Sequence, residues 1–491
     1  MEELLYLNDD YFLKFDFKRV ILFSKHNTKN ESDDNWGSFI HPTHARFLSI
    51  FNYPIRRNEA LNKLSQILKG VDLEKTNAYL SNFVENKDSF HVKWGDNCIN
   101  FPRNVLLSTT DDNIKIERNR FDIEDISKIT NVDIKSKRLF SSPLDIVFMI
   151  TSKCYVNCVY CYADRKTRHT EISYETFMKF MNEARDLNIR SVSLTGGDIF
   201  MKKDWDKYLS TIVAYGYSPD FISTKKPLKE YEINKLINTG YKNEVQISID
   251  SMNCSTQKDM LGVRNDYISQ LSETIKLLDI NGFKIRINTV LTSINRFEIE
   301  LQKIADEIIK YRNIIEWEIR FFMPSLYLDD NKNKSLSVPM EIKDGISNFI
   351  NNSLRRKLSI PISFNEDIQN INKEKSFLAT NNDSAWKCSA NISSLFILPD
   401  GNVSLCEQLY WHPQFIIGNI TEQTIEEIWQ SKKAERFLHF PKNADARQSS
   451  CSKCKLKDNC FEEQKRCWVN VIKANGYHNW LDADPECINQ K

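Results

Sequence analysis

Between residues 141 and 325 the apolar positions switch back and forth between two periods. Short apolar runs read "LDIVFMIT", "SVSLTGG", "DFISTKK", "EVQISID", "KIRINTVL" and "IIEWEIRFF". Between them lie helical patterns such as "YETFMKFMNEARDL", "DYISQLSETIKLLDI" and "FEIELQKIADEIIKY". In the last, Phe297, Ile299, Leu301, Ile304, Ile308 and Ile309 are expected mostly on one buried face. Six strand–helix units at a spacing of roughly 25–30 residues predict a parallel sheet, curled into a partial (β/α)6 barrel. In such a barrel reactive groups gather at the C-terminal strand ends, where the loops meet.

The flanks have different textures. In residues 1–110, "YFLKFDFKRVILFSK" alternates like strands. "HPTHARFLSIF", "RRNEALNKLSQILKG" and "DLEKTNAYLSNFVENK" predict three short helices, and "SFHVKW" a further strand. Strands and a helical trio fit a small winged-helix-like module. Residues 111–140 are polar and read as a linker, and 326–380 as a bridging region. Residues 381–491 combine short strands, one helix ("TEQTIEEIWQS") and cysteine-rich loops, with "FILPDGNVSLCE" a hairpin turning on Asp400–Gly401. The whole is expected to be an α/β protein of several domains, since 491 residues exceed one ordinary core.

Charge narrows the partners. Lys plus Arg number 67 and Asp plus Glu 66, a formal charge of +1, so no global field draws the chain to nucleic acid or to an anionic membrane. No apolar run approaches the ~18 residues of a membrane span. The start, "MEELLYLNDDYF", lacks the pattern of a secretory signal. The expected location is cytoplasmic, where twelve cysteines point to metal ligands or catalysis more than to disulfides. Cys98 and Cys254 stand alone and are expected to be small buried hydrophobes.

The first strand runs into "TSKCYVNCVYCYADR", with Cys154, Cys158 and Cys161 spaced C-x3-C-x2-C. Three such thiols can hold three irons of a [4Fe–4S] cubane and leave the fourth open to a chelating ligand. The competing reading is zinc, which wants four ligands; His169 is close in sequence, but a surface role suits it better. The second strand ends in Gly196, Gly197 and Asp198, two residues that allow close backbone approach and a carboxylate able to accept from an ammonium group. The fourth ends "QISID", where Ser248 and Asp250 would turn polar groups to the same mouth; a plain turn or a helix cap are the bland alternatives.

Taken together, this loop, with the aromatic Tyr160 before its last cysteine, and "GGD" and "ISID" resemble the radical SAM superfamily over about residues 144–322. The resemblance implies that Cys154, Cys158 and Cys161 bind the cluster to which S-adenosylmethionine (SAM) attaches. It implies Tyr160 near adenine, Gly196, Gly197 and Asp198 at the methionine amine, and Ser248 at the ribose or carboxylate. Two positions depart from the pattern. Aspartate replaces glutamate at Asp198, and Leu261 stands where an arginine is frequent, with Arg264 a substitute contact for the carboxylate.

The C-terminal cysteines form a second constellation. Cys388, Gly401 and Cys406 follow C-x12-G-x4-C; Cys451, Cys454 and Cys460 follow C-x2-C-x5-C; Cys467 and Cys487 complete it. A pair of zinc ribbons is the competing reading. The layout resembles the SPASM domain of radical SAM peptide modifiers, which holds two auxiliary [4Fe–4S] clusters, although six residues rather than three separate Cys460 from Cys467. The resemblance implies Cys388, Cys406 and Cys467 on the first auxiliary cluster and Cys451, Cys454, Cys460 and Cys487 on the second. Seven thiols for eight irons leave one iron of the first cluster without a cysteine.

The N-terminal module resembles the winged-helix element that captures leader peptides of ribosomally made natural products; a purely structural N-terminal cap is the alternative. The expectation is a radical SAM peptide maturase that cross-links a precursor peptide through a thioether, served by an electron donor such as a flavodoxin or ferredoxin. Carbon–carbon cross-linking and formylglycine-type oxidation are the neighbouring alternatives. A non-catalytic zinc-dependent peptide-binding protein is the alternative of another class.

Overall fold

The computed structural model describes residues 3–24, 33, 36–67, 71–95, 97–111, 113–114, 121, 123–165, 170–364, 388–442 and 447–487. His169, part of the 111–140 stretch, the second part of the 326–380 bridge and the first residues of the 381–491 segment lie outside the described residues. The described residues form two compact units, one up to residue 144 and one from 145 onward.

The first unit bears out the strand and helix pattern of its sequence. Its strands are β1 (Leu4–Leu7), β2 (Tyr11–Phe15), β3 (Val20–Ser24), β4 (Gly37–Ile40), β5 (Ile55–Arg56), β6 (Phe90–Trp94), β7 (Asn97–Phe101) and β8 (Leu106–Thr109). They pair as β5-β1-β8, β2-β3-β4 and the hairpin β6-β7. The helices are α1 (Pro42–Ser49), α2 (Arg57–Ile67) and α3 (Leu73–Ser81). Two of their starts carry side-chain caps: His41 precedes Pro42 and accepts from Thr43 N, and Asp72 accepts from Lys75 N at 2.8 Å. Phe47, Phe51, Phe83 and Phe101 fill the core with Leu64 and Leu106. Within the polar 111–140 stretch, Phe121 and Ile126 of α4 (Ile123–Ser127) join this core. Buried Arg19 reaches Asp16 at 2.9 Å and the carbonyl of Arg138 at 2.7 Å.

The second unit contains the barrel. Six parallel strands, β9 (Asp145–Met149), β10 (Ser191–Thr195), β11 (Phe221–Thr224), β12 (Glu244–Ser248), β13 (Ile285–Leu291) and β14 (Ile314–Phe321), fall where the sequence placed them. The helices α5 (Tyr174–Asp186), α6 (Trp205–Ala214), α7 (Glu230–Asn238), α8 (Cys254–Leu261), α9 (Tyr267–Ile280) and α10 (Glu298–Ile308) alternate with them. A seventh parallel strand, β15 (Ile362–Phe364), adds to β14 and was not visible in the bridging sequence. Hydrogen bonding divides the strands into two sheets, one holding β9 and β10 and the other β11 to β15. The C-terminal strands β16 (Ser394–Ile397), β17 (Asn402–Ser404) and β18 (Ile416–Asn419) continue the first sheet, in the order β10-β9-β16-β17-β18. The β16–β17 hairpin turns at Asp400–Gly401 as expected. Gly401 sits at φ +85°, a conformation that favours glycine.

Three expectations are corrected. On α10, Leu301, Ile304 and Ile308 are buried, but Phe297, Ile299 and Ile309 are exposed. Phe297 lies before the first turn, and the other two fall off the i, i+3, i+7 stripe that faces the sheet. Cys98 and Cys254 are both exposed, on the two-stranded β6–β7 hairpin and at the first turn of α8, where neither side chain reaches a core. The C-terminal segment has more than one helix: besides Ile425–Trp429, Lys457–Glu462 and Trp468–Asn475 are helical, their apolar positions being interrupted by the cysteines.

Candidate functional site

The loop carrying Cys154, Cys158 and Cys161 leaves β9 at the C-terminal mouth of the barrel. Backbone hydrogen bonds hold it on both sides. Gly197 N donates to Thr151 O and Asp198 N to Lys153 O, both at 2.8 Å. On the other side Asn157 N donates to Leu261 O and Val159 N to Met260 O, both at 2.9 Å. The pair of glycines is required by this packing. A Cβ on Gly197 would lie 2.4 Å from Lys153 O and 2.6 Å from Cys154 Sγ, and one on Gly196 would lie 2.9 Å from Thr151 O.

The three thiols converge. Desolvation pushes Cys154 up to about 12, and the neighbouring charges of Cys161, Asp198 and Cys158 add to it. Desolvation likewise pushes Cys158 up to about 11; Lys225 opposes this, and Asp250 and Cys161 reinforce it. Thiols so hard to ionise together become ligands when bound iron supplies compensating positive charge. Among the described residues no three His, Cys, Asp or Glu side chains are arranged to hold a single ion. Three free thiols in one loop, each able to take a different iron, fit a cubane.

Beneath the loop lies a buried polar network. Asp250, fully buried just beyond β12, accepts from the Tyr160 hydroxyl, from Lys225 Nζ at 2.8 Å and from Val290 N at 3.0 Å. Tyr160 is therefore locked by its hydroxyl, and burial with the adjoining Asp250 raises its pKa well above the ordinary tyrosine value. Lys225 sits next to Cys158 and Cys161, and its ammonium is held above the usual lysine range by Asp250 and these thiols despite burial. Sequence reasoning missed Lys225. The signal was two consecutive lysines, Lys225 and Lys226, at a barrel-strand end. Ser248 is buried at the end of β12, while Arg264 is exposed in the turn between α8 and α9.

Asp198 has a different setting from that expected of a residue open to a ligand. Its Oδ2 accepts from Thr224 Oγ1 at 2.7 Å and from Lys225 N and Lys226 N at 3.1 Å, and its Oδ1 from Phe200 N at 3.1 Å. The carboxylate thus ties the end of β10 to the end of β11, across the seam between the two sheets. Burial raises its pKa against these four donors.

The seven C-terminal thiols fall into two groups. Cys388, pushed up to about 11 by desolvation, is next to Cys467; Cys406, raised further, is next to Cys388 and Cys467. Cys451 and Cys460 are raised by burial, and each is coupled to Cys454 and Cys487. The resemblance to the SPASM domain implies a division of three and four. Ala163, two residues past Cys161, packs against the cluster of Phe396, Leu398 and Tyr410. Tyr162 is 44% exposed as a residue, but its hydroxyl is raised by desolvation, and by Glu407, Cys161 and Cys406. Lys473 lies beside Cys467 and Cys406.

Comparison with known proteins adds to this geometry. Residues 148–311 match the family model of the radical SAM superfamily, and residues 388–455 match SPASM, an iron–sulfur cluster-binding domain. The antilisterial bacteriocin subtilosin biosynthesis protein AlbA of Bacillus subtilis (strain 168) is 24% identical over 342 residues, 69% of this chain and 70% of that protein. A GTP 3′,8-cyclase of Nautilia profundicola is 32% identical over 162 residues, 30% of this chain and 48% of the cyclase, so the chain spans about half of that relative. Among solved structures, Streptococcus suis SuiB bound to the precursor peptide SuiA aligns with a TM-score of 0.64 at 18% identity, over 98% of this chain and 100% of SuiB. That likeness is one of fold. No helix among the described residues is long and apolar enough to cross a membrane.

Proposed function

We propose that this chain, a radical SAM/SPASM protein, is a maturase that cross-links a ribosomally made peptide through a thioether. One observation carries the reading. The barrel-mouth loop packs on the segment that carries the first C-terminal thiols: Ala163, two residues past Cys161, lies against the cluster of Phe396, Leu398 and Tyr410, the last of them four residues past Cys406. A substrate between the two would meet both chemistries at once.

Cys154, Cys158 and Cys161 would hold the SAM cluster, which when bound supplies one electron to the sulfonium and so yields methionine and a hydrogen-abstracting 5′-deoxyadenosyl radical. Cys388, Cys406 and Cys467 would hold a first auxiliary cluster with one iron free of protein thiol, and Cys451, Cys454, Cys460 and Cys487 a second. The protein's own contribution is placement. Gly196 and Gly197 let the loop lie against β10, and Asp250 fixes Tyr160 and Lys225 beside it. Lys225 offers the cation that Leu261 does not, for the SAM carboxylate, and Ser248 and exposed Arg264 remain candidates for ribose and carboxylate. Asp198 ties β10 to β11 beside the loop, where the amine end of the ligand would lie. The electron would come from a flavodoxin- or ferredoxin-type donor.

A peptide substrate is supported by the end-to-end likeness to SuiB, whose structure contains a precursor peptide. It is supported also by the first unit. A cleft of about 520 Å³ runs between α3 and β6, lined by Tyr79, Asn82, Phe90 and Val92. Among the described residues β6 pairs only with β7, so its other edge can take a leader peptide as an added strand.

The test is anaerobic co-expression with small peptides encoded nearby, read by mass spectrometry. Thioether formation removes two hydrogens, one from carbon and one from sulfur, and leaves the peptide cysteine resistant to alkylation. A product two hydrogens lighter whose cysteine still alkylates would mean carbon–carbon coupling. No change in any peptide, with SAM cleavage intact, would overturn the peptide assignment.

A further inference from the structure

We propose that Arg466 donates its Nε–H to the sulfur shell of the second auxiliary cluster and sets that cluster's potential above the value its four thiolates alone would give. The inference rests on the reading of Cys451, Cys454, Cys460 and Cys487 as cluster ligands.

Arg466 is only 2% exposed. One end of its guanidinium is satisfied: Nη2 donates to Trp480 O at 2.8 Å and to Asp482 O at 2.6 Å. Its plane lies over Phe461, 4.5 Å from the ring centroid, and Trp468, at 4.6 Å. Its Nε–H, by contrast, is buried and has no partner among the described residues. A permanently charged donor left unpaired inside a protein is costly, and native structures seldom keep one. The two neighbouring carboxylates have other donors: Asp482 accepts from Ser450 N at 2.7 Å and Asp484 from Cys467 N at 2.8 Å.

The backbone ties Arg466 to this cysteine group on two sides: Lys465 N donates to Cys460 O at 3.0 Å, and Asp482, whose carbonyl accepts from Arg466, takes Ser450 N, next to Cys451, at 2.7 Å. A buried, unpaired donor held between these two contacts defines one direction. The acceptor is the sulfur of the bound cluster, as thiolate or inorganic sulfide. Among the described residues of 447–487, one other buried side-chain N–H is orphaned, Trp468 Nε1. The two residues flank Cys467 on either side. Donor hydrogen bonds and nearby positive charge both stabilise the reduced, more negative state of an iron–sulfur cluster, so they raise its potential.

Lysine would keep the charge without the planar fork, and glutamine would remove the charge. EPR-monitored redox titration of the anaerobically purified full-length protein should resolve the clusters. Arg466→Gln should move one midpoint to more negative potential, with the reduced-to-oxidised ratio at a fixed potential falling at least tenfold, about 59 mV for one electron. Arg466→Lys should move the same midpoint less, and the other midpoints should stay. If Arg466→Gln does not fold, uniformly 15N-arginine-labelled wild-type protein decides: the reduced second auxiliary cluster should show a 15N coupling in hyperfine spectroscopy. Unmoved midpoints in a folded, fully iron-loaded Arg466→Gln protein, or no arginine 15N coupling in wild type, would overturn the proposal. Iron near 8 rather than near 12 per wild-type chain, with one species missing from the spectra, would instead overturn the ligand assignment.

Discussion

Gly197→Ala puts a methyl group into the contact that holds the barrel-mouth loop. The added Cβ would lie 2.4 Å from Lys153 O and 2.6 Å from Cys154 Sγ. Ordinary carbon–oxygen contacts are about 3.3 Å or longer, so the loop must retreat by about 1 Å. It is not free to do so, because Lys153 O also accepts from Asp198 N at 2.8 Å. Overpacking of this kind costs about 1–3 kcal/mol. Metal–ligand distances tolerate only about 0.2 Å, so a cysteine displaced by several times that amount loses its iron. The expected result is a folded protein whose iron falls from about 12 to about 8 per chain, with 5′-deoxyadenosine formation abolished and the auxiliary clusters retained. Gly196→Ala, whose Cβ would meet Thr151 O at 2.9 Å, should lose less, and Gly345→Ala, with nothing within 4 Å, should lose none. Iron and sulfide analysis after anaerobic purification gives the ordering. Wild-type iron and deoxyadenosine yield in Gly197→Ala would refute the reasoning.

Two further outcomes follow from the same coordinates. Asp198→Asn removes an acceptor from a carboxylate that serves four donors, at a cost of about 1–3 kcal/mol for a stranded group, so the melting temperature should fall by a few degrees while the SAM cluster stays. SAM affinity should weaken as well; unchanged affinity beside a lowered melting temperature would confine Asp198 to the seam. His44 is 2% exposed, without a hydrogen-bond partner on either ring nitrogen among the described residues, and burial with nearby His41 holds it down to about 4. Its folded pKa lies below the unfolded value, so the neutral ring's contribution is complete above about pH 6.5 and is lost as pH falls toward 4, by about 3 kcal/mol. Acid unfolding of the first unit should therefore shift to lower pH in His44→Phe, and an identical pH–stability profile would exclude His44 as its source.

The alternation of strands and helices from 144 to 322 was legible because each barrel strand is a short β-rich run and each major helix repeats its apolar positions at helical spacing. The cysteine clusters were visible as spacings, whereas their division into a set of three and a set of four came from the family resemblance, Cys388 and Cys467 lying far apart in the chain. What escaped depends on contacts distant in sequence. Nothing near Leu261 reveals that its carbonyl anchors Asn157, a contact made by the backbone and blind to the side chain. The Tyr160–Asp250 and Lys225–Asp250 bonds join three separate strand ends, and only the fold brings them together. Asp198 was read from its neighbours in sequence as ligand-facing, yet the seam supplies it with partners 26 to 28 residues away. Cys98 and Cys254 were placed by the habits of their residue type, which are weak at hairpins and first turns.

The parallel pairing of β16 with β9 joins Ser394 to Asp145 and Ile397 to Phe148. It ties the barrel's opening strand to a partner about 250 residues later in the chain. During synthesis β9 can pair with β10 early, but its other edge stays bare until the ribosome has released Ile397. Contacts so distant close slowly, and an unpaired strand edge invites intermolecular pairing in the meantime. The loop with Cys154, Cys158 and Cys161 issues from that same strand. The loop's own anchors, on Gly197, Asp198, Met260 and Leu261, are all made by earlier parts of the chain, so the bare edge lies beside a loop that can already be held. A chain that stops short of β16 would leave its first strand exposed as a template for aggregation.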